Sequence, residues 1–165
     1  MTEATPPPTF TERGGRWVAG QFILMAAVLA LGVVFPGSAR HPASLLFGVA
    51  LGGCGAFIGI AGVRALGANR TAFPRPKAQA ALVEHGIYSR IRHPLYTSVM
   101  LLALGWAAGW QSWPALLAAL TLIAWLVAKA RREERWLREK FPAYTDYARR
   151  VPPFLPRWPG GRRRL

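Results

Sequence analysis

Residues 94–128, PLYTSVMLLALGWAAGWQSWPALLAALTLIAWLVA, form a run of thirty-five positions without one charged side chain. As a single straight helix the run would be about 52 Å long at 1.5 Å per residue, while the hydrocarbon core of a bilayer is about 30 Å thick. It must fold back on itself. Its only polar, breaker-rich stretch is Gly109-Trp110-Gln111-Ser112-Trp113-Pro114, close to the middle. Glycine and proline break helices, and paired tryptophans suit a membrane interface. The spacing predicts a tight helical hairpin with arms over 95–109 and 114–128, each short for a full crossing.

Two further apolar segments lie upstream. Residues 18–35 carry no charge and only one strongly polar side chain, Gln21. Trp17 and Pro36 bracket this stretch as an interfacial anchor and a stop, so residues 17–36 are expected to span the membrane. Gly37-Ser38-Ala39 superficially offers a signal-peptide cleavage site, but the apolar segments that follow favour a first spanning helix. Residues 42–63 are also uncharged and begin with a proline, which the first turn of a helix tolerates. Gly48 with Gly52, and Gly55 with Gly59, make two pairs of small residues that permit close helix approach. We expect these pairs to serve packing within the chain rather than a dimer seam. A homo-oligomer is possible but not indicated.

The expected fold class is all-α: a polytopic integral membrane protein with about four transmembrane helices, two of them in the C-terminal hairpin. A flexible tail over 1–16, a cytoplasmic linker over 64–93 and a cytoplasmic C-terminal segment over 129–165, itself helical, complete one membrane domain. Composition agrees. Apolar residues make up 52% of the 165 positions and charged residues 17%, against roughly 25% charged in soluble domains. Lys and Arg number 21 against 7 Asp and Glu. The linker holds six basic residues and the segment from Lys129 onward twelve, whereas only Arg40 lies between the first two helices and none in the hairpin turn. The positive-inside rule then puts both termini and the linker in the cytoplasm, and we expect the inner membrane of a bacterium. The net charge of +14 is thereby explained by anionic lipid headgroups rather than nucleic acid, which would need a soluble platform of basic and aromatic residues.

Polar groups gather at two places, 82–96 and 132–152, both at the cytoplasmic ends of the hairpin. Folding brings them to one membrane face, with Arg, His, Glu and Tyr around a floor of apolar helix. Headgroup anchoring is the competing reading of Arg90, Arg92 and His93, and 131–140 reads as a charged amphipathic helix. Several chemistries are excluded. The single cysteine, Cys54, forbids an internal disulfide. His85 and His93 lack metal-ligand spacing, so no metal is expected. Ser89 and Ser98 lack a placed His–Asp partner.

Arg92-His93-Pro94-Leu95-Tyr96, preceded by Leu82-Val83 and Gly86-Ile87-Tyr88, resembles the signature of the isoprenylcysteine carboxyl methyltransferases and their phospholipid methyltransferase relatives. The second half follows in order as Glu133-Glu134, Leu137, Phe141, Tyr144, Tyr147 and Val151-Pro152, so the resemblance covers 82–156. The chain departs from the common pattern at Ser98, Ile87 and Pro142, none of which removes a charged or aromatic group. The resemblance implies a membrane methyltransferase using S-adenosyl-L-methionine, with a lipophilic acceptor (a carboxylate, thiol or amine) arriving from the bilayer. It implies that Arg92 orients the acceptor in catalysis. Tyr88, His93, Tyr96, Tyr144 and Tyr147 then contact the cofactor together with Glu133 or Glu134. Those two glutamates are 100° apart on a helix, and Glu134 is the preferred one. Trp125 and Ser98 are candidates for an acceptor tunnel, with plain packing as the other reading of Trp125. An NADPH-dependent membrane reductase and a non-catalytic scaffold or assembly protein are the alternatives from other classes.

Overall fold

The computed structural model describes residues 9–38, 41–76 and 79–156. Expectations that rested on Arg40, Lys77 and the basic residues from Arg157 onward lie outside them. The chain is all-helical: α1 (Gly15–Val34), α2 (Pro42–Leu66), α3 (Pro94–Trp110), α4 (Trp113–Lys140) and α5 (Tyr144–Arg150), with single 3-10 turns at Gly67–Asn69 and Gly86–Ser89. Three helical stretches, Gly15–Val34, Pro42–Asn69 and Trp113–Lys140, are long and apolar enough to cross a membrane. The fourth apolar helix, α3, has 17 residues. At 1.5 Å per residue it reaches about 26 Å, a little less than the hydrocarbon thickness.

The predicted hairpin is present, and its turn is tighter than the six-residue stretch around it. Gln111 takes a left-handed conformation at φ 51°. Ser112 caps α4 by accepting the Ala115 N–H at 3.3 Å, and its own hydroxyl donates to the Leu31 carbonyl at 3.1 Å. The second arm differs from expectation. Helix α4 does not stop at Ala128 but runs unbroken to Lys140, 28 residues in all. No glycine or proline interrupts 129–140, and Ala, Arg, Glu, Leu and Lys are all strong helix formers. The change from apolar to charged marks a change of surroundings, not an end of helix. The end comes at Phe141, where Pro142 disfavours further helix.

Helix α3 is central, packing on α2, α4 and α1, while α1 lies mainly against α4. Val28, Met100, Ala103, Ala119, Leu122 and Leu126 form the buried core between them. Phe22, Ile23, Leu46, Phe57 and Leu117 point outward, the arrangement a lipid solvent requires. The glycines of α2 face α3: of the two expected pairs, Gly55 with Gly59 packs on Ser98, whereas Gly52 of the other points its missing side chain elsewhere. The buried positions are Gly48, Gly55 and Gly62, each two turns from the next. A Cβ on Gly48 would lie 2.6 Å from the Gly105 carbonyl oxygen, so the two backbones touch. A Cβ on Gly52 would meet nothing within 4 Å, so a side chain there has open space although the Gly52 backbone nitrogen borders Gly105.

The N-terminal tail is shorter than expected. Residues 1–8 lie outside the described part, but 9–14 form a hydrogen-bonded turn, with Arg13 N–H on the Thr9 carbonyl and Gly15 N–H on Phe10. Trp17 is an internal partner, its ring 4.9 Å from that of Trp125.

Candidate active site

The segment leading into α3 turns at Gly86, whose φ of +61° suits glycine, and then buries Tyr88 and Ile91. The chain after α5 lies along this segment. The backbone N–H groups of Arg92 and His93 donate to the carbonyls of Pro152 and Pro153, both at 2.9 Å. Thr97 donates its hydroxyl to the Phe154 carbonyl at 2.9 Å, and Tyr147 donates its own to the Tyr88 carbonyl at 2.7 Å. Side chains some sixty positions apart in sequence are thus stitched together by main-chain acceptors.

Charge is concentrated on Glu134, which is 9% exposed. One carboxylate oxygen takes Arg92 Nη2 and His93 Nε2, each at 3.0 Å, and the other takes Arg138 Nη2 at 3.1 Å. Arg92 also donates through Nη1 to the Ala148 carbonyl at 2.8 Å. Its neighbour Glu133 accepts the Tyr96 hydroxyl at 2.6 Å. The rings of His93 and Tyr96 stack 5.5 Å apart, only 11° from parallel. The tyrosines around this cluster are neutral phenols. Burial pushes Tyr147 up to about 12, and burial, with Glu133 nearby, raises Tyr88 further. Tyr144 is raised as well, chiefly by burial and then by Glu134.

These groups border a cleft that is partly open to solvent. Tyr88, Arg92, His93, Tyr96, Glu133, Tyr144 and Tyr147 line one side of it. The other side is made by Leu66, Asn69 and the linker, including Thr71, Phe73, Pro74 and Pro76. Seven of the eight expected binding residues therefore converge. Glu134, preferred from the sequence over Glu133, is not in the lining: its carboxylate is committed to Arg92, His93 and Arg138, and Glu133 is the one that borders the cavity. Both expected tunnel residues lie elsewhere. Trp125 packs on α1, its indole N–H donating to the Trp17 carbonyl at 3.0 Å. Ser98 is buried where α3 meets α2, its hydroxyl 2.5 Å from where a Gly59 Cβ would be.

Two residues escaped the sequence reading. Arg138 stands four positions after Glu134, a spacing at which opposite charges on a helix meet, and that signal was available. Lys129 is the first charge after the apolar run and is 2% exposed, which only the folded chain reveals.

Two buried polar atoms on cleft-lining residues have no hydrogen-bond partner among the described residues: Arg92 Nε and the Tyr144 hydroxyl. Such groups are costly unless something meets them. A cleft walled by tyrosines and set at the ends of apolar helices marks an integral membrane protein with a candidate small-molecule site. The family described as phospholipid methyltransferase matches residues 43–143, and the chain belongs to that family. The match reaches back through α2 and stops just short of Tyr144. Among curated proteins, the chain is similar to the cobalt-zinc-cadmium resistance protein CzcN of Cupriavidus metallidurans, with 45% identity over 78 residues, 46% of this chain and 36% of that protein. It is also similar to the nickel-cobalt-cadmium resistance protein NccN of Alcaligenes xylosoxydans xylosoxydans, with 40% identity over 79 residues and the same shares of the two chains. The chain thus aligns with about a third of the length of these relatives.

Proposed function

We propose that the chain transfers a methyl group from S-adenosyl-L-methionine to a lipophilic acceptor at the cytoplasmic face of a bacterial inner membrane, with both termini in the cytoplasm. The observation that carries this reading is the convergence of Tyr88, Arg92, His93, Tyr96, Glu133, Tyr144 and Tyr147 on one cleft at the ends of apolar helices. S-adenosyl-L-methionine, when bound, supplies a methyl group on a sulfonium that can be displaced in line by a nucleophile. The residues fit such a molecule. The Arg92 guanidinium suits its carboxylate or ribose oxygens, the Glu133 carboxylate suits its amino or hydroxyl groups, and the Tyr88 and Tyr96 rings suit a flat base and a cationic sulfur.

In this reading the protein contributes alignment and exclusion of water more than acid–base chemistry. Glu134 holds Arg92 and His93, so that neither can swing out of the wall. Both terminal nitrogens of Arg92 are engaged, by Glu134 and by the Ala148 carbonyl, which fixes the plane of its guanidinium. Arg92 orients an anionic or lone-pair-bearing acceptor, and the linker over 71–76 covers the other side of the site. The acceptor is a lipophilic carboxylate, thiol or amine drawn from the surrounding lipids. No nucleic acid takes part. The relatives' names concern resistance to metals, but we take the cleft as a site for organic molecules. Among the described residues, no group of three His, Cys, Asp or Glu side chains is arranged to hold an ion.

Membranes carrying the full chain, incubated with methyl-labelled S-adenosyl-L-methionine, test the reading. Label should enter an organic extract, and Arg92→Ala should lower it roughly ten- to a hundredfold, the loss expected for one hydrogen bond to a charged group. Label confined to water-soluble protein would overturn the acceptor class. Tight NADPH binding without binding of S-adenosylhomocysteine would replace the reaction by a reduction, and no binding of either would leave a scaffold.

A further inference from the structure

Lys129 has no part in the chemistry above, yet it is among the most buried side chains of the molecule, at 2% exposure. An ammonium group has three N–H bonds to satisfy. One goes to Gln21 Oε1 of α1 at 2.6 Å and a second to the Ala72 carbonyl of the linker at 3.1 Å. The Nζ also stands 5.2 Å from the centroid of the Tyr96 ring, within cation–π range. The one strongly polar residue of the apolar stretch 18–35 and the first charge after the long apolar run, 108 positions apart, therefore meet.

We infer that Lys129, held by Gln21, is a positioning residue that fixes the roof and one wall of the cleft. The inference rests on the reading of the cleft as the cofactor pocket. Ala72 sits between Thr71 and the pair Phe73 and Pro74, which line the cavity, so its carbonyl is the anchor of that roof. Tyr96 is held at two points, its hydroxyl by Glu133 and its ring face by Lys129. The turn before α1 completes the clamp. Phe10 meets Phe73 edge-on at 5.7 Å, the Arg13 guanidinium lies 4.1 Å from the same ring, and a Cβ on Gly14 would be 2.6 Å from Pro74. Helix α1 lies before the residues that match the family, 43–143, and this contact gives it a role in the site.

The test uses the full chain in detergent and two variants, Lys129→Met and Gln21→Leu, the second of which keeps the lysine should the first fail to fold. Hydrogen-exchange mass spectrometry reads the linker amides over 71–76, with α3 as internal control, and calorimetry reads S-adenosylhomocysteine binding. Each variant should speed linker exchange and weaken binding by about tenfold, the size of one lost hydrogen bond to a charged group. Exchange in α3 should not change, and the double variant should be no worse than Lys129→Met, because the two side chains act as one unit. Unchanged linker exchange in both variants overturns the inference. Faster exchange with unchanged affinity overturns the positioning role. If the parent binds no S-adenosylhomocysteine, the cofactor reading fails, and linker exchange still decides whether Lys129 fixes the roof.

Discussion

Helix α3 is held along its length by glycines and at its entry by charges. Against α2 it meets Gly48, Gly55, Gly59 and Gly62, and at Gly48 the contact is backbone on backbone. At its start it meets Glu134, Glu133 and the chain after α5, through ion pairs and hydrogen bonds. The first contact depends on atoms that are missing, because in lipid only close van der Waals approach can drive two apolar helices together. The second depends on particular atoms being present, because a buried charge is tolerated only when it is met. Adding an atom should therefore break the seam, and removing one should break the cluster.

The largest effect is expected at Glu134. Glu134→Ala leaves Arg92 buried without its counter-charge and His93 without its hydrogen-bond partner, and breaking a buried pair costs about 3–5 kcal/mol. Arg138 adds little to this, since it is 45% exposed and screened by solvent. Thermal unfolding in detergent should shift strongly downward, and S-adenosylhomocysteine binding should vanish. A variant as stable as the parent would mean that the ion pairs are not what holds the cluster. The seam comes next. Gly48→Leu drives a side chain into the Gly105 carbonyl, and overpacking costs about 1–3 kcal/mol, at the upper end where backbone must move. An unchanged unfolding temperature would show that α2 and α3 are not in backbone contact.

The same division explains what could be read from the sequence. The hairpin was legible because an uncharged run longer than a bilayer is thick has to fold back. The glycines of α2 were legible as a packing face, but which of them face α3 was not: spacings of four and of seven both bring residues near one side, and only the partner chooses. The ring of Tyr88, Arg92, His93, Tyr96, Tyr144 and Tyr147 was legible through a motif. The roof over 71–76 was not, since Phe73 and Pro74 belong to no pattern and are placed by Lys129 and the turn before α1. Trp125 illustrates a different failure. An aromatic side chain halfway along a helix faces whichever neighbour is there, and here that neighbour is Gly20 of α1.

A smaller effect separates the two regions by pH. Tyr147 is buried, and its phenol rises from an ordinary 10 to about 12 in the folded chain. A raised value means the folded state holds its proton more tightly than the unfolded one. The associated stability is complete below about pH 10 and is lost as pH climbs through 12. Tyr88 and Tyr144 shift in the same direction. The glycine seam has no titrating group and should be indifferent over this range. Exchange protection should therefore fall between pH 10 and 12 in α5 and the segment after it, before it falls in α2 and α3. Tyr147→Phe should reduce that dependence at a cost of about 1 kcal/mol for the lost bond to the Tyr88 carbonyl. Loss of α2 protection first would contradict the assignment.

The smallest expected effect concerns Gly52. A Cβ there meets nothing within 4 Å, in contrast to Gly48 one turn earlier. If the glycines of α2 serve only the contact with α3, Gly52→Leu puts a side chain into lipid, where leucine is as apolar as its surroundings. Stability should then change by no more than about 0.5 kcal/mol, as for substitutions away from any special contact. A second copy of the chain packed on this face would reverse the expectation, because the leucine would then collide with a helix across the seam. Unfolding temperature and sedimentation in detergent, measured on Gly52→Leu beside Gly48→Leu, distinguish the two arrangements. An unchanged protein at position 52 and a damaged one at 48 assign the glycines to the fold. Equal damage at both, accompanied by a change in mass, would assign the face at Gly52 to an assembly.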